Sequence, residues 1–114
     1  MMIKNVGIDI IKNKRIKVND QFASKILAEK EFQYYSSIDS KTRKREYLAG
    51  RWAVKEALIK ALEYNFPLNT VCIATGDDNK LKVTGLNLVE NEFLNISLSH
   101  EEEYSVGIAI LSEK

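Results

Sequence analysis

The chain is poor in several residue types, and each shortage excludes a class of chemistry. It has 114 residues but one cysteine, Cys72, so no intrachain disulfide can form. One cysteine and one histidine, His100, are too few for an ordinary zinc site. Only five glycines are present, and they form neither a Walker A loop nor a dinucleotide-binding pattern. No Gly-Xaa-Ser-Xaa-Gly surrounds Ser97 or Ser99, so neither sits in a nucleophile elbow. No apolar run approaches the ~20 residues that span a bilayer. The N-terminus, Met1-Met2-Ile3-Lys4-Asn5, turns polar too early for a signal peptide, and a cytoplasmic location is expected. A long basic tract and a basic–aromatic repeat are both missing, which argues against nucleic acid. Without repeats, low-complexity segments or interior linkers, residues 1–114 are expected to form a single domain.

What is present suits a soluble globular fold, with 45% hydrophobic and 29% charged residues. The net charge of +1 hides an asymmetry. Residues 1–60 carry 14 Lys/Arg against 7 Asp/Glu, a net of +7; residues 61–114 carry 3 against 9, a net of −6. The basic half can steer an anionic partner. Equally, the two halves can pair within the fold or between subunits.

Val6-Gly7-Ile8-Asp9-Ile10-Ile11 reads as a first strand, interrupted by the charge of Asp9. A charge in a core strand needs a partner or a metal. Asn19-Asp20 opens a helix containing Phe22, Ile26 and Leu27, and a short helix followed by a turn is expected within 31–40. Leu48, Trp52, Ile59 and Leu62, with alanines at 49, 53, 57 and 61, predict a long helix over Thr42–Leu62, weakened at Gly50. Pro67 marks the turn beyond it. Strands are expected at 71–75, 81–83, 94–99 and 104–111, the first two joined by the polar turn at 76–79. The order of a strand, two or three helices and several strands predicts an α+β fold with an antiparallel sheet.

Glu56 and Lys60 stand four apart on the long helix, a spacing common in plain surface pairs. Arg51 and Lys55 flank the apolar stripe. Glu56 lies near the buried edge beside Trp52 and Ile59, where a carboxylate can face a cleft. Asp9 and Glu56 come from separate elements, and two such oxygen ligands, completed by water and phosphates, are how Mg²⁺ is usually held. Any two acids can be paired this way, so spacing alone specifies no metal. His100 stands at a strand end, either as an ordinary polar turn residue or as an imidazole facing a phosphate.

Taken together, the motifs are more specific. Gly7-Ile8-Asp9-Ile10, then Arg15-Ile16, then Leu48-Ala49-Gly50-Arg51-Trp52-Ala53-Val54-Lys55-Glu56-Ala57-Leu58-Ile59-Lys60-Ala61, then Ile96-Ser97-Leu98-Ser99-His100 and Glu103-Tyr104, resemble the bacterial holo-acyl-carrier-protein synthases of the 4'-phosphopantetheinyl transferase superfamily. The resemblance covers nearly the whole chain in order. It implies the 4'-phosphopantetheinyl transferase fold. It also implies transfer of phosphopantetheine from coenzyme A to a serine of apo acyl carrier protein, releasing adenosine 3',5'-bisphosphate. Asp9 and Glu56 match the family's magnesium carboxylates. Lys60 matches the lysine near the pyrophosphate, His100 the histidine near the phosphates, and Arg51 a motif position expected at the coenzyme A site. Arg15 and Arg43 match positions that engage the acidic carrier. The resemblance further implies a homotrimer with coenzyme A bound between subunits; the alternation of Val106, Ile108 and Ile110 suits that packing and an ordinary monomer core equally. Glu56 is expected to take the serine proton, with Asp9 as runner-up and His100 orienting phosphate. Two family turns are absent. Residues 62–67 lack a glycine, and Asp78-Asn79-Lys80-Leu81 replaces a Gly-Lys-Pro turn, both bearing on the adenine and 3'-phosphate contacts. The other readings are a carrier-binding module without turnover, another Mg²⁺-dependent phosphoryl-transfer enzyme, and a bare structural domain.

Overall fold

In the computed structural model, which describes residues 1–114, strand β1 (Met2–Lys12) leads through a 3-10 turn at Asn13–Arg15 into two short helices, α1 (Asp20–Ile26) and α2 (Glu29–Ser37). The long helix α3 (Lys41–Leu62) follows, then β2 (Cys72–Thr75), β3 (Leu81–Thr84), β4 (Glu92–His100) and β5 (Tyr104–Glu113). The predicted elements are all present, with β1 starting four residues earlier than the apolar run alone predicts. Asn19 caps α1 by accepting from Phe22 N, and Ser40 caps α3 by accepting from Arg43 N.

The strands form two antiparallel sheets. One has the order β1-β5-β4, the other is the β2-β3 hairpin. The hairpin turns where expected, through Gly76 N to Lys80 O at 2.8 Å and Asn79 N to Gly76 O at 3.0 Å.

Helix α3 lies across the three-stranded sheet. Its alanines and two strand glycines allow that approach. A Cβ added at Gly7 would collide with the Ala57 carbonyl, and one added at Gly107 would sit 2.5 Å from Val54 N. The helix thus rests directly on the centre of the sheet. Its other flank packs against α1, α2 and the hairpin. Leu48 and Ala49 join Ile26, Leu27 and Tyr35 in one cluster, while Val54, Ala57 and Leu58 join Val71, Ile73 and Ala109 in a second.

The opposite face of the sheet is open. Val6, Ile8 and Ile10 are 48%, 58% and 62% exposed, and Val106, Ile108 and Ile110 alternate with the helix-facing residues of β5 beside them. Val106, Ile108 and Ile110 therefore lie outside the core beneath α3.

Helix α3 ends without the glycine usual there. Glu63 itself adopts φ 62° and ψ 27°. Asn5 on β1 compensates, its Nδ2 donating to Ala61 O and to Glu63 Oε1, both at 2.9 Å. The absent glycine turn is thus replaced by a side-chain clasp between β1 and the end of α3.

Candidate active site

Pleating sends Asn5, Gly7 and Asp9 toward α3 and Val6, Ile8 and Ile10 away from it. Because Gly7 lets the helix sit low, the last turns of α3 bring Glu56 and Lys60 beside Asp9. Lys60 Nζ donates to Asp9 Oδ1 at 3.2 Å and to Ile8 O at 2.9 Å. Asp9 is therefore a half-buried charge with a lysine partner, at the margin of α3 and not in the core. The Glu56–Lys60 surface pair expected from spacing does not form, since Lys60 turns to β1 instead.

Burial first, and then the like charge of Asp9, push the Glu56 carboxyl above its ordinary value; Lys60 offsets part of this. Two carboxylates thus repel, and the Lys60 ammonium bonded to Asp9 offsets part of that repulsion. The donors are all hard oxygens from two rigid elements. That set fits a divalent cation whose remaining ligands are water and phosphate oxygens.

A second group lies by β4, the far edge of the sheet. Arg43, Glu46, Arg51 and His100 line a cavity of about 310 Å³ whose floor includes Gly50 and Leu98. His100 Nδ1 is 3.9 Å from Glu46 Oε2. Arg51 stacks 4.6 Å over the Tyr47 ring and donates from Nη2 to Ile73 O at 3.3 Å. Arg51 also lines an adjoining cavity of about 440 Å³ with Lys30, Tyr34, Cys72 and Thr75. None of Asp9, Glu56 and Lys60 reaches either cavity. Within one chain the candidate residues therefore form two clusters, one at β1 and one at β4, with β5 between those strands and α3 packed across the sheet.

Lys55 is misread by the sequence-based expectation. It does not flank the apolar stripe but lies wholly inside the core, bonded to Glu31 of α2. Desolvation lowers its pKa, opposed by Glu31. The signal was available: Lys55 falls seven residues after Leu48 and seven before Leu62, at the centre of the buried stripe. Glu31, fully buried, carried no comparable signal in the local pattern.

Of the basic residues, Arg15 and Arg43 are exposed and make no ion pair. Lys12 and Lys14 instead line a small cleft with Glu102 and Glu103. The opposite charges of the two halves thus partly meet within the fold.

Comparison with known proteins agrees with this architecture. The sequence model of the 4'-phosphopantetheinyl transferase superfamily matches residues 5–109. A holo-acyl-carrier-protein synthase of Mycoplasma capricolum is 44% identical over 109 residues, covering 96% of this chain and 94% of that protein. One from Petrotoga mobilis is 33% identical over 120 aligned positions, covering 99% of each. The crystal structure of the Bacillus anthracis synthase in complex with CoA (3',5'-ADP) superposes with a TM-score of 0.87 at 29% identity, covering 100% of both chains. The chain therefore belongs to the 4'-phosphopantetheinyl transferase superfamily, an enzyme family of transferases, within its holo-acyl-carrier-protein synthase group.

Proposed function

We propose that this enzyme transfers 4'-phosphopantetheine from coenzyme A to a serine of apo acyl carrier protein, with Mg²⁺ as cofactor and adenosine 3',5'-bisphosphate as second product. The observation that carries the reading is the convergence of Asp9 and Glu56, from β1 and α3, around the single Lys60 ammonium.

Asp9 and Glu56 hold the cation. When bound, Mg²⁺ neutralises and orients the pyrophosphate of coenzyme A. Lys60, whose side chain is half-exposed, supports charge on the phosphoryl oxygens. The carrier serine oxygen attacks the β-phosphorus. Glu56 accepts the serine proton. The bond from that phosphorus to the bridging oxygen breaks, and the bisphosphate departs. Arg51 and His100 bind phosphate at the cavity beside β4. Arg15 and Arg43 dock the acidic carrier, and neighbouring lysines speed encounter.

The separation of the two clusters supports a homotrimer with interfacial active sites. Joining copies through the exposed Val6, Ile8 and Ile10 face would bury apolar surface that one chain leaves in water. It would also allow the Arg51–His100 cavity of one copy to face the carboxylates of its neighbour. The cytoplasm, where coenzyme A and carrier protein are both available, is the proposed location.

Chromatography of the small-molecule products tests the reaction. Adenosine 3',5'-bisphosphate should form one-for-one with modified carrier, stop with EDTA and resume with excess Mg²⁺. Release without carrier, or release unaffected by EDTA, contradicts the proposal.

A further inference from the structure

The best-connected charged group in the molecule belongs to no element of the proposed reaction. Glu31, near the start of α2, is 1% exposed at its side chain, and Lys55 is 0% exposed. Lys55 Nζ donates to Glu31 Oε1, Ile26 O at 2.7 Å and Leu68 O at 3.0 Å, so its three protons are used. Glu31 Oε1 also accepts from Ala28 N at 2.9 Å. Its Oε2 accepts from Ile73 N at 3.0 Å and lies 3.5 Å from Arg51 Nε.

Glu31 and Lys55 alone balance each other's charge. The positive charge of Arg51 is surplus, and Arg51 is the member that lines both the cavity beside β4 and the one between α2, α3 and β2, whose wall Glu31 shares. Its guanidinium is fixed on three sides. Tyr47 lies under its plane, Ile73 O accepts from Nη2, and Glu31 Oε2 lies beside Nε. Glu31 acts on two of those sides at once, because its carboxylate also holds the backbone nitrogen of Ile73. Nε itself makes no hydrogen bond, so it is aimed by charge and by its neighbours. A donor array held this way meets an anion with little ordering of its own side chain.

We propose that Glu31 is a positioning residue for coenzyme A. Held in the core by Lys55, its carboxylate fixes Arg51 and Ile73 so that the guanidinium presents to a phosphate in the cavity beside β4. This rests on the reading, given above, that Arg51 contacts coenzyme A. Lys55 is then the counter-charge that lets a carboxylate serve in a dry site.

A double-mutant cycle on the full chain tests this. Glu31→Gln keeps the shape and loses the charge; combining it with Lys55→Met avoids stranding an ammonium in the core. The Glu31→Gln/Lys55→Met protein should bind coenzyme A about tenfold more weakly by calorimetry without carrier. Its KM for coenzyme A should rise about as much, while kcat and the KM for carrier stay within about twofold. Adding Arg51→Ala to that protein should weaken binding by much less than Arg51→Ala does in the wild type. Should the combined variant not fold, Glu31→Asp, which keeps the charge and withdraws it by one methylene, is expected to give the same selective rise in KM for coenzyme A. A lower melting temperature with unchanged coenzyme A affinity, or a full-sized Arg51→Ala effect in the variant background, overturns the proposal and leaves the pair a purely structural one. If Arg51→Ala alone leaves coenzyme A binding unchanged, the Arg51 assignment itself fails, and this inference with it.

Discussion

Glu56 carries an electrostatic conflict that Lys60 offsets only in part. Burial and Asp9 both favour its protonated form. The folded state therefore holds that proton more tightly than the unfolded chain does. The metal-free protein should lose stability as pH rises from the ordinary glutamate value through the raised one, because the unfolded chain releases the proton first. Glu56→Gln should lack that loss and melt higher than the wild type at neutral pH without metal. It should also lack the rise in melting temperature that Mg²⁺ gives the wild type, and lose turnover by about a hundredfold or more. Thermal melts across pH, with EDTA or with Mg²⁺, check all of this. An unchanged Mg²⁺ response in Glu56→Gln contradicts the assignment of the metal to this carboxylate.

Strand β1 and helix α3 hold the site through their contact, and that contact depends on two missing side chains. Gly7 and Gly107 each face helix backbone, which cannot step aside as a flexible side chain can. Gly7→Ala or Gly107→Ala should cost about 2–4 kcal/mol in denaturant unfolding and tilt α3 off the sheet. Gly76→Ala, whose added methyl meets the mobile end of Lys82 at 3.0 Å, should cost less than about 1 kcal/mol. Equal losses at all three positions would mean that the close approach is not what the glycines provide.

Both main elements were legible, β1 from its short branched apolar run and α3 from its alanine-spaced stripe. The split into two sheets was not, because whether β3 bonds to β4 is set by long-range packing. Asp9 was legible as a candidate through the Gly7–Ile10 segment, and Glu56 and Lys60 through the 48–61 run. Lys55 was misplaced because a lysine on a helix ordinarily belongs at the surface. Only its partner Glu31, distant in sequence, makes its burial tolerable.

At the scale of the molecule, the proposed trimer would account for both the open sheet face and the two separated clusters. Ile8→Lys places a charge at the centre of that face, away from α3. Light scattering should then report a folded monomer with little transferase activity. Mixed trimers of Glu56→Gln and Arg51→Ala chains, each impaired alone, should regain activity if the site is shared between copies. A fully active Ile8→Lys monomer would contradict the interfacial site. Charge acts at the same scale. Arg43, exposed and unpaired, should matter more to the acidic carrier than to the small donor. Arg43→Glu should raise the KM for carrier about tenfold or more, and by more than it raises the KM for coenzyme A, whose proposed cavity Arg43 also lines. Equal increases for both substrates would remove Arg43 from the docking surface.

The most direct measurement is the intact mass of apo acyl carrier protein after incubation with this enzyme, coenzyme A and Mg²⁺. The account predicts a gain of one phosphopantetheine group per carrier, abolished by EDTA and by Glu56→Gln. An unmodified carrier, with a folded enzyme and a carrier that a control transferase does modify, would contradict it.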